Sequence, residues 1–349
     1  MTKLSSRTRR LASAPGKLLI AGEYAVLEGH PALVTSTSRR AHARLSAVDD
    51  DSLCLQLPDG LLCRVTRGRE GLSLSPSAPE ALLLLALLQT LDERQRSLPT
   101  GLLEVDTAGF YLGVDKLGLG SSAAVCASVA ALLVDSDQAS SPALLHALAD
   151  EAHTRFSGPE GKGSGIDVAA SCFGGTFRFT RTAEATSLTP WTLCPEGVDL
   201  IVGYAGSSTS TRHFLREIRA CKARDGSRYD EAIALIAAAT KRLLEATEGK
   251  SGPEPFFEAL EECRTLMQRL GDLAGLDIVS APHRRIAAIA STYGGAAKPS
   301  GAGGGDVAIC FVPREAAQLC REQLRREGFP VVEPLTTGAP GAQREHSLT

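Results

Sequence analysis

The chain has no apolar run long enough to cross a bilayer, no basic excess, no metal-type cysteine spacing, no P-loop and no internal repeat. Each absence excludes something. The longest leucine run, Leu82 to Leu88, is too short to span. It follows Ser77-Ala-Pro-Glu80, which reads as a capping box with proline in the first turn, so a buried helix over about 78–96 is expected. The net charge of −3 gives no footprint for nucleic acid. Nine cysteines are scattered without a Cys-x-x-Cys, and they read as reduced core residues of a cytoplasmic protein. Met1 to Leu11 carries four cations but no apolar signal-peptide core. Gly249-Lys250-Ser251 lacks the earlier glycine of a P-loop, because Leu244 stands there.

What is present starts with size and apolar content. A chain of 349 residues with 43% apolar residues is long enough for two cored domains. Its organising stretch is Lys116-Leu-Gly-Leu-Gly-Ser-Ser-Ala-Ala124, two glycines and two hydroxyls opening a small, apolar segment that runs to Val134. A glycine loop feeding a helix points unpaired N–H groups and the positive end of the helix dipole at one spot, which suits phosphate. Hydroxyls there can hold a cation that bridges phosphate oxygens. The plain alternative is a strand-to-helix turn with small residues for packing. A dinucleotide fingerprint also fits Gly118-x-Gly120-x-x-Ala123, but Leu112 to Lys116 makes a poor strand end and Asp135 ends a helix, not a second strand.

Elsewhere, Leu18 to Ile20 reads as a short strand beside Lys17, which is either a site residue or a surface lysine. Residues 39–75 alternate as antiparallel strands and hairpins. Ser141-Pro142 starts a helix to Phe156, followed by a glycine loop and Ser164-Gly-Ile-Asp167, where Asp167 is either a cap or a functional acid. Residues 182–197 read as a domain junction, and the hydroxyl loop Ala205 to Arg212 is either a second anion site or a capping loop. Helices follow over 211–222, 227–247 (capped by Ser227), 254–274 and from Ser280, then a second glycine loop, Lys298-Pro-Ser-Gly-Ala-Gly-Gly-Gly-Asp306. A last helix over 314–327 and a strand around Val331 precede a Gly-, Pro- and Thr-rich tail, 336–349, which reads as disordered.

Three stretches in order, Ala14-Pro-Gly-Lys-Leu-Leu-Ile-Ala-Gly-Glu-Tyr24, Gly118 to Ala124 and Lys298 to Asp306, resemble the motifs of the GHMP kinase superfamily over residues 12 to about 332. The resemblance implies an α+β, two-domain fold. Residues 1–190 would form a ribosomal-protein-S5-domain-2-like, ATP-binding domain with a left-handed crossover, and 191–335 a ferredoxin-like domain. The lead Phe110 to Leu117, the Gly22-Glu-Tyr24 triplet and Thr209-Ser-Thr-Arg212 resemble the phosphomevalonate kinases, whereas mevalonate kinases carry Pro-Pro-Gly-Ala and Gly-Glu-His. His153 falls where mevalonate kinases have a metal-binding Glu, with Glu151 two residues away, so Mg²⁺ would have fewer protein ligands.

The resemblance further implies ATP and Mg²⁺ as cofactors, phosphomevalonate as the small-molecule partner, and neither nucleic acid nor membrane. Gly118, Leu119, Gly120, Ser121, Ser122 and Ala123 would cradle the ATP phosphates, with Ser122 on Mg²⁺. Lys17, Lys116 and Asp167 would act at the reacting groups. The acceptor would meet Lys17, Glu23, Tyr24, Ser164, Gly165, Asp167, Thr211, Arg212, Lys298, Gly301, Ala302 and Gly303, with Lys162 a weaker candidate. A phosphorylated acceptor needs more cations than an alcohol, and Lys17, Lys116 and Arg212 can supply them. Mevalonate kinase is the enzyme rival. A metabolite sensor on the same fold is the non-catalytic rival, and Lys17, Ser122 and Asp167 together argue against it.

Overall fold

The computed structural model describes residues 10–48, 51–94, 96–135, 138, 141–206, 211–248 and 252–345. In chain order the strands and helices are β1 (Arg10–Ala21), β2 (Ala32–Ser46), β3 (Leu53–Gln56), β4 (Leu62–Gly68), β5 (Gly71–Ser75), α1 (Leu82–Glu93), β6 (Gly101–Asp106), β7 (Tyr111–Leu112), β8 (Asp115–Lys116), α2 (Ser121–Leu133), α3 (Pro142–Gly161) and α4 (Ile166–Phe173). The order continues with β9 (Thr176–Arg181), β10 (Thr186–Pro190), β11 (Val198–Tyr204), α5 (Thr211–Arg224), α6 (Gly226–Ala246), α7 (Glu254–Ala274), α8 (Ala281–Thr292), β12 (Ala296–Pro299), β13 (Val307–Pro313), α9 (Ala317–Arg326) and β14 (Gln343–Glu345).

Among the described residues, a nine-stranded sheet runs β10-β9-β2-β6-β3-β4-β5, with β1 joined to both β2 and β14. All its pairs are antiparallel except β3 with β6. The short strand expected at Leu18–Ile20 is twelve residues long, buried from Ala12 onward. Burial on both faces hides the alternation that would have betrayed its length. Its register with β2 shifts between Pro15 and Lys17, which leaves Gly16 without a partner and resumes with Lys17 opposite Ser36. Helix α2 packs on β1 and is buried at twelve of its thirteen positions, which is why its sequence is small and apolar all round.

The second sheet is β11-β13-β12, extended by a bridge from Gly203 to Val331. Tyr204 N–H donates to Pro330 O and Val332 N–H to Val202 O, both at 2.8 Å. The order 331, β11, β13, β12, with helices in both crossovers, is the expected ferredoxin-like arrangement, although the last strand is reduced to a single bridge. Two expected caps differ. The Ser77 side chain caps nothing, since Pro79–Ala81 forms a 3₁₀ turn ahead of α1. Helix α6 is capped by Asp225, which accepts from Arg228 N–H at 3.3 Å, not by Ser227. Helix α3 runs on past Phe156 but breaks at Gly158, whose ψ is 178°.

The expectation of a disordered tail from 336 is corrected for residues 336–345, while 346–349 lie outside the described residues. The tail lies along the large sheet and ends as β14 against β1. Gly338 N–H donates to Ser36 O at 2.9 Å, Gly175 N–H to Ala339 O at 2.9 Å, and Arg40 to the carbonyls of Pro340 and Gly341 at 2.7 and 2.8 Å. Glycine and proline here mark close backbone approach: a Cβ on Gly174 would come within 2.1 Å of Gly341 N. Arg344 then donates to the carbonyls of Ala131 (3.2 Å), Leu132 (2.8 Å) and Val134, so the tail caps the C-terminus of α2. A cation there complements the helix dipole. Arg344→Ala is therefore expected to lower stability by ~1–2 kcal/mol in urea unfolding, where an idle tail residue would change nothing.

Candidate active site

The glycine loop is shaped by its leucines. Leu117 and Leu119 are buried, which turns Gly118 and Gly120 outward in the left-handed region at φ 68° and 79°. Gly120 is the N-cap of α2 and no side chain caps that end, so the first-turn N–H groups face out unspent. Lys17 N–H donates to Leu119 O at 2.8 Å, which fixes the loop on β1. The Lys17 side chain, 6% exposed, passes beneath the loop: a Cβ on Gly120 would meet its Cγ at 3.2 Å. Its Nζ lies 3.4 Å from Asp167 Oδ1. Asp167 stands in the first turn of α4, whose N-cap is Gly165 at φ 81°. Ser164 Oγ accepts from Ile166 N–H at 3.3 Å in the same turn.

The third motif closes over this from the second sheet. A Cβ on Gly301 would stand 3.5 Å from Lys17 Nζ, and one on Gly118 would strike the Asp306 carboxylate. Ser300 Oγ accepts from Leu19 N–H at 3.0 Å. Lys298 and Glu23, expected to meet the acceptor, are instead fully buried and paired with each other. Lys298 also donates to Pro299 O at 2.8 Å, and Glu23 accepts from Gly301 N–H at 3.4 Å. Their charges are spent on joining the first motif to the third. Tyr24, at φ 63°, donates its hydroxyl to Ala302 O at 2.5 Å, and burial together with Glu23 pushes its pKa well up. Gly303 is pressed against Ile278 O, so it too is a packing position.

Ser122 Oγ lies 3.1 Å from His153 Nε2. Burial pushes the His153 pKa down, although Asp167 and Asp150 pull it back, so the ring is neutral near pH 7. The nearby acids of α3 are committed elsewhere. Asp150 holds Arg181 at 2.7 Å and Glu151 holds Arg94 at 2.5 Å, which removes Glu151 as a stand-in for the missing metal carboxylate. Among the described residues no three His, Cys, Asp or Glu side chains gather as a metal centre.

The structure thus brings together Lys17, the 118–123 loop, Asp167 and the Gly301–Gly303 loop. Three expected residues stand outside that cluster. Lys116 is exposed on the β7–β8 hairpin beside the loop and makes no ion pair among the described residues. Thr211 and Arg212 open α5, with the Arg212 guanidinium 5.9 Å from the Phe156 ring centroid. The rest of the hydroxyl loop, 207–210, lies outside the described residues. Sequence reasoning missed the Ser122–His153 contact as a contact, and the Arg344 cap entirely.

Comparison with known proteins agrees with this geometry. Residues 253–330 match the model of the GHMP kinase C-terminal region. The chain is 29% identical to a phosphomevalonate kinase from Streptomyces sp. (strain CL190), covering 94% of this chain and 97% of that one. It is 26% identical to a mevalonate kinase from Pyrococcus abyssi, covering 92% and 94%. A Streptococcus pneumoniae phosphomevalonate kinase, solved with phosphomevalonate and AMPPNP, superposes with a TM-score of 0.74 at 20% identity over 94% of this chain and 99% of that one. The chain belongs to the GHMP kinase superfamily and is an ATP-dependent small-molecule kinase. Among the described residues no helix is long and apolar enough to cross a membrane.

Proposed function

We propose that this kinase transfers the γ-phosphoryl group of ATP to (R)-5-phosphomevalonate, giving (R)-5-diphosphomevalonate and ADP in the mevalonate route to isoprenoids. The observation that carries the reading is Lys116, an exposed lysine immediately before the phosphate loop that makes no ion pair among the described residues. An alcohol acceptor gives no reason for a further cation at that point, whereas an acceptor already bearing a phosphate does. A cytoplasmic setting suits the nine free thiols.

In the transfer, an acceptor phosphate oxygen attacks the γ-phosphorus as the bond to the β–γ bridging oxygen breaks and ADP leaves. That nucleophile has a second pKa of about 6 and is largely ionised at neutral pH, so it needs no base. Asp167 accordingly serves to hold Lys17 at 3.4 Å, and Lys17 carries positive charge to where charge builds up between the two glycine loops. The uncapped start of α2 supplies N–H donors to the nucleotide phosphates. The donor set fits Mg²⁺ bound mainly through the nucleotide: Ser122 offers one hydroxyl oxygen, oriented by neutral His153, and the ion would neutralise phosphate charge. If mevalonate were the acceptor, its alcohol would need a base and Asp167 would have to supply it.

Lys116→Ala separates acceptor binding from nucleotide binding. Its kcat/KM for phosphomevalonate is expected to fall at least about tenfold, as for a lost charge-assisted contact. ATP affinity, measured by calorimetry without acceptor, should hold. Loss of ATP binding with acceptor binding intact would put Lys116 in the nucleotide site and remove the main support for a phosphorylated acceptor.

A further inference from the structure

Two donor atoms from different helices meet beside the first glycine loop. Ser122 is the second residue of α2, whose N-terminal end carries no side-chain cap. His153 belongs to α3, and its Nε2 lies 3.1 Å from Ser122 Oγ. The distance suits a hydrogen bond. It is also the spacing of two neighbouring ligands on one metal ion. Donors at right angles to each other around an octahedral ion, each ~2.1 Å from it, lie ~3.0 Å apart. The pair therefore needs little rearrangement to share a cation.

The charges around the pair leave it the cation's place. Asp150 holds Arg181 at 2.7 Å, Glu151 holds Arg94 at 2.5 Å, and Asp167 lies 3.4 Å from Lys17. With those carboxylates engaged by protein cations, the donors that face each other are a hydroxyl and an imidazole. Burial keeps the ring neutral against the pull of Asp167 and Asp150. A neutral imidazole has one ring lone pair to give and is a common metal ligand. Nucleotide phosphates at the start of α2 would bring their cation within reach of both donors.

We propose that His153 Nε2 is a second protein ligand, with Ser122 Oγ, of the divalent cation that accompanies ATP, and that it sets the metal preference of this kinase. Imidazole nitrogen favours later transition ions such as Co²⁺, whereas Mg²⁺ takes oxygen donors. A chain that meets the ion with one nitrogen and one hydroxyl should favour a Co²⁺ nucleotide more than a chain that offers a carboxylate. The proposal rests on the nucleotide lying against the 118–123 loop and not on the identity of the acceptor.

The test uses the full chain loaded with Co²⁺ and the β,γ-methylene analogue of ATP, which transfers no phosphoryl group. An imidazole bonded directly to Co²⁺ should give a strongly hyperfine-shifted, solvent-exchangeable ring N–H resonance in the proton NMR spectrum. His153→Glu should lack it. By calorimetry, the ratio of affinities for the Co²⁺ and Mg²⁺ complexes of the analogue should fall at least about tenfold from wild type to His153→Glu, because an oxygen replaces the nitrogen. Absence of the shifted resonance from wild type with the Co²⁺ complex bound overturns the proposal and leaves His153 as a hydrogen-bond partner of Ser122 only. An unchanged ratio in a His153→Glu variant that melts as the wild type does overturns it as well. The wild-type spectrum decides by itself if that variant does not fold. If neither complex binds, the nucleotide site is misplaced and the proposal falls with it. No acceptor is present, so a chain that phosphorylates mevalonate instead fails the functional reading and leaves this result standing.

Discussion

Lys17→Met is expected to lower kcat by ~10²–10³-fold, the loss seen when one preorganised donor to a charged transition state is removed. Lys17 lies beneath Gly120, with its Nζ near Gly301 and 3.4 Å from Asp167, so it is a cation held between both glycine loops by side-chain and backbone contacts. Its melting temperature should barely move. Asp167 is 41% exposed, so water can solvate the carboxylate left behind. A kcat within tenfold of wild type, measured at saturating ATP and acceptor, would remove Lys17 from the chemistry.

The largest expected effect on stability comes from the Glu23–Lys298 pair. Both residues are buried, at 3% and 0% exposure, and they tie the first motif to the third. Removing one partner strands a charge in the interior, so Lys298→Met should cost ~3–5 kcal/mol. The double variant Glu23→Leu/Lys298→Met should recover much of that, because an apolar pair of similar volume needs no desolvation. Urea unfolding of the two single variants and the double variant gives the answer. If the losses simply add, the pair is not coupled and its clamping role is wrong. An acceptor contact by either residue would instead show as a raised KM with stability intact.

The parts of the site that were legible in the sequence are those whose chemistry is local. Gly118 and Gly120 need left-handed backbone, Leu117 and Leu119 must be buried to turn them outward, and the small residues from Ala123 announce a buried helix. The Glu23–Lys298 pair joins residues 275 positions apart, and nothing in either neighbourhood says that the charges cancel. The motif made both look like open contacts, whereas the fold buries them. The tail misled for a different reason. Its glycines and prolines have the composition of a solvated segment, yet its backbone groups find partners on Ser36, Gly175 and Arg40, and Arg344 finds the end of α2. Composition reports how little apolar surface a segment has, not whether its hydrogen bonds are met. The length of β1 was hidden because both of its faces are covered, which erases alternation.

In the proposed reaction the acceptor already carries a phosphate. Coupled ADP-release assays with mevalonate and 5-phosphomevalonate, run side by side on the full chain with ATP and Mg²⁺, test it most directly. The expected kcat/KM for 5-phosphomevalonate exceeds that for mevalonate by at least about a hundredfold, since a site built for a phosphate leaves its cations unanswered when the phosphate is missing. Turnover of mevalonate at equal or greater kcat/KM would contradict it, and would return Asp167 to the role of a general base.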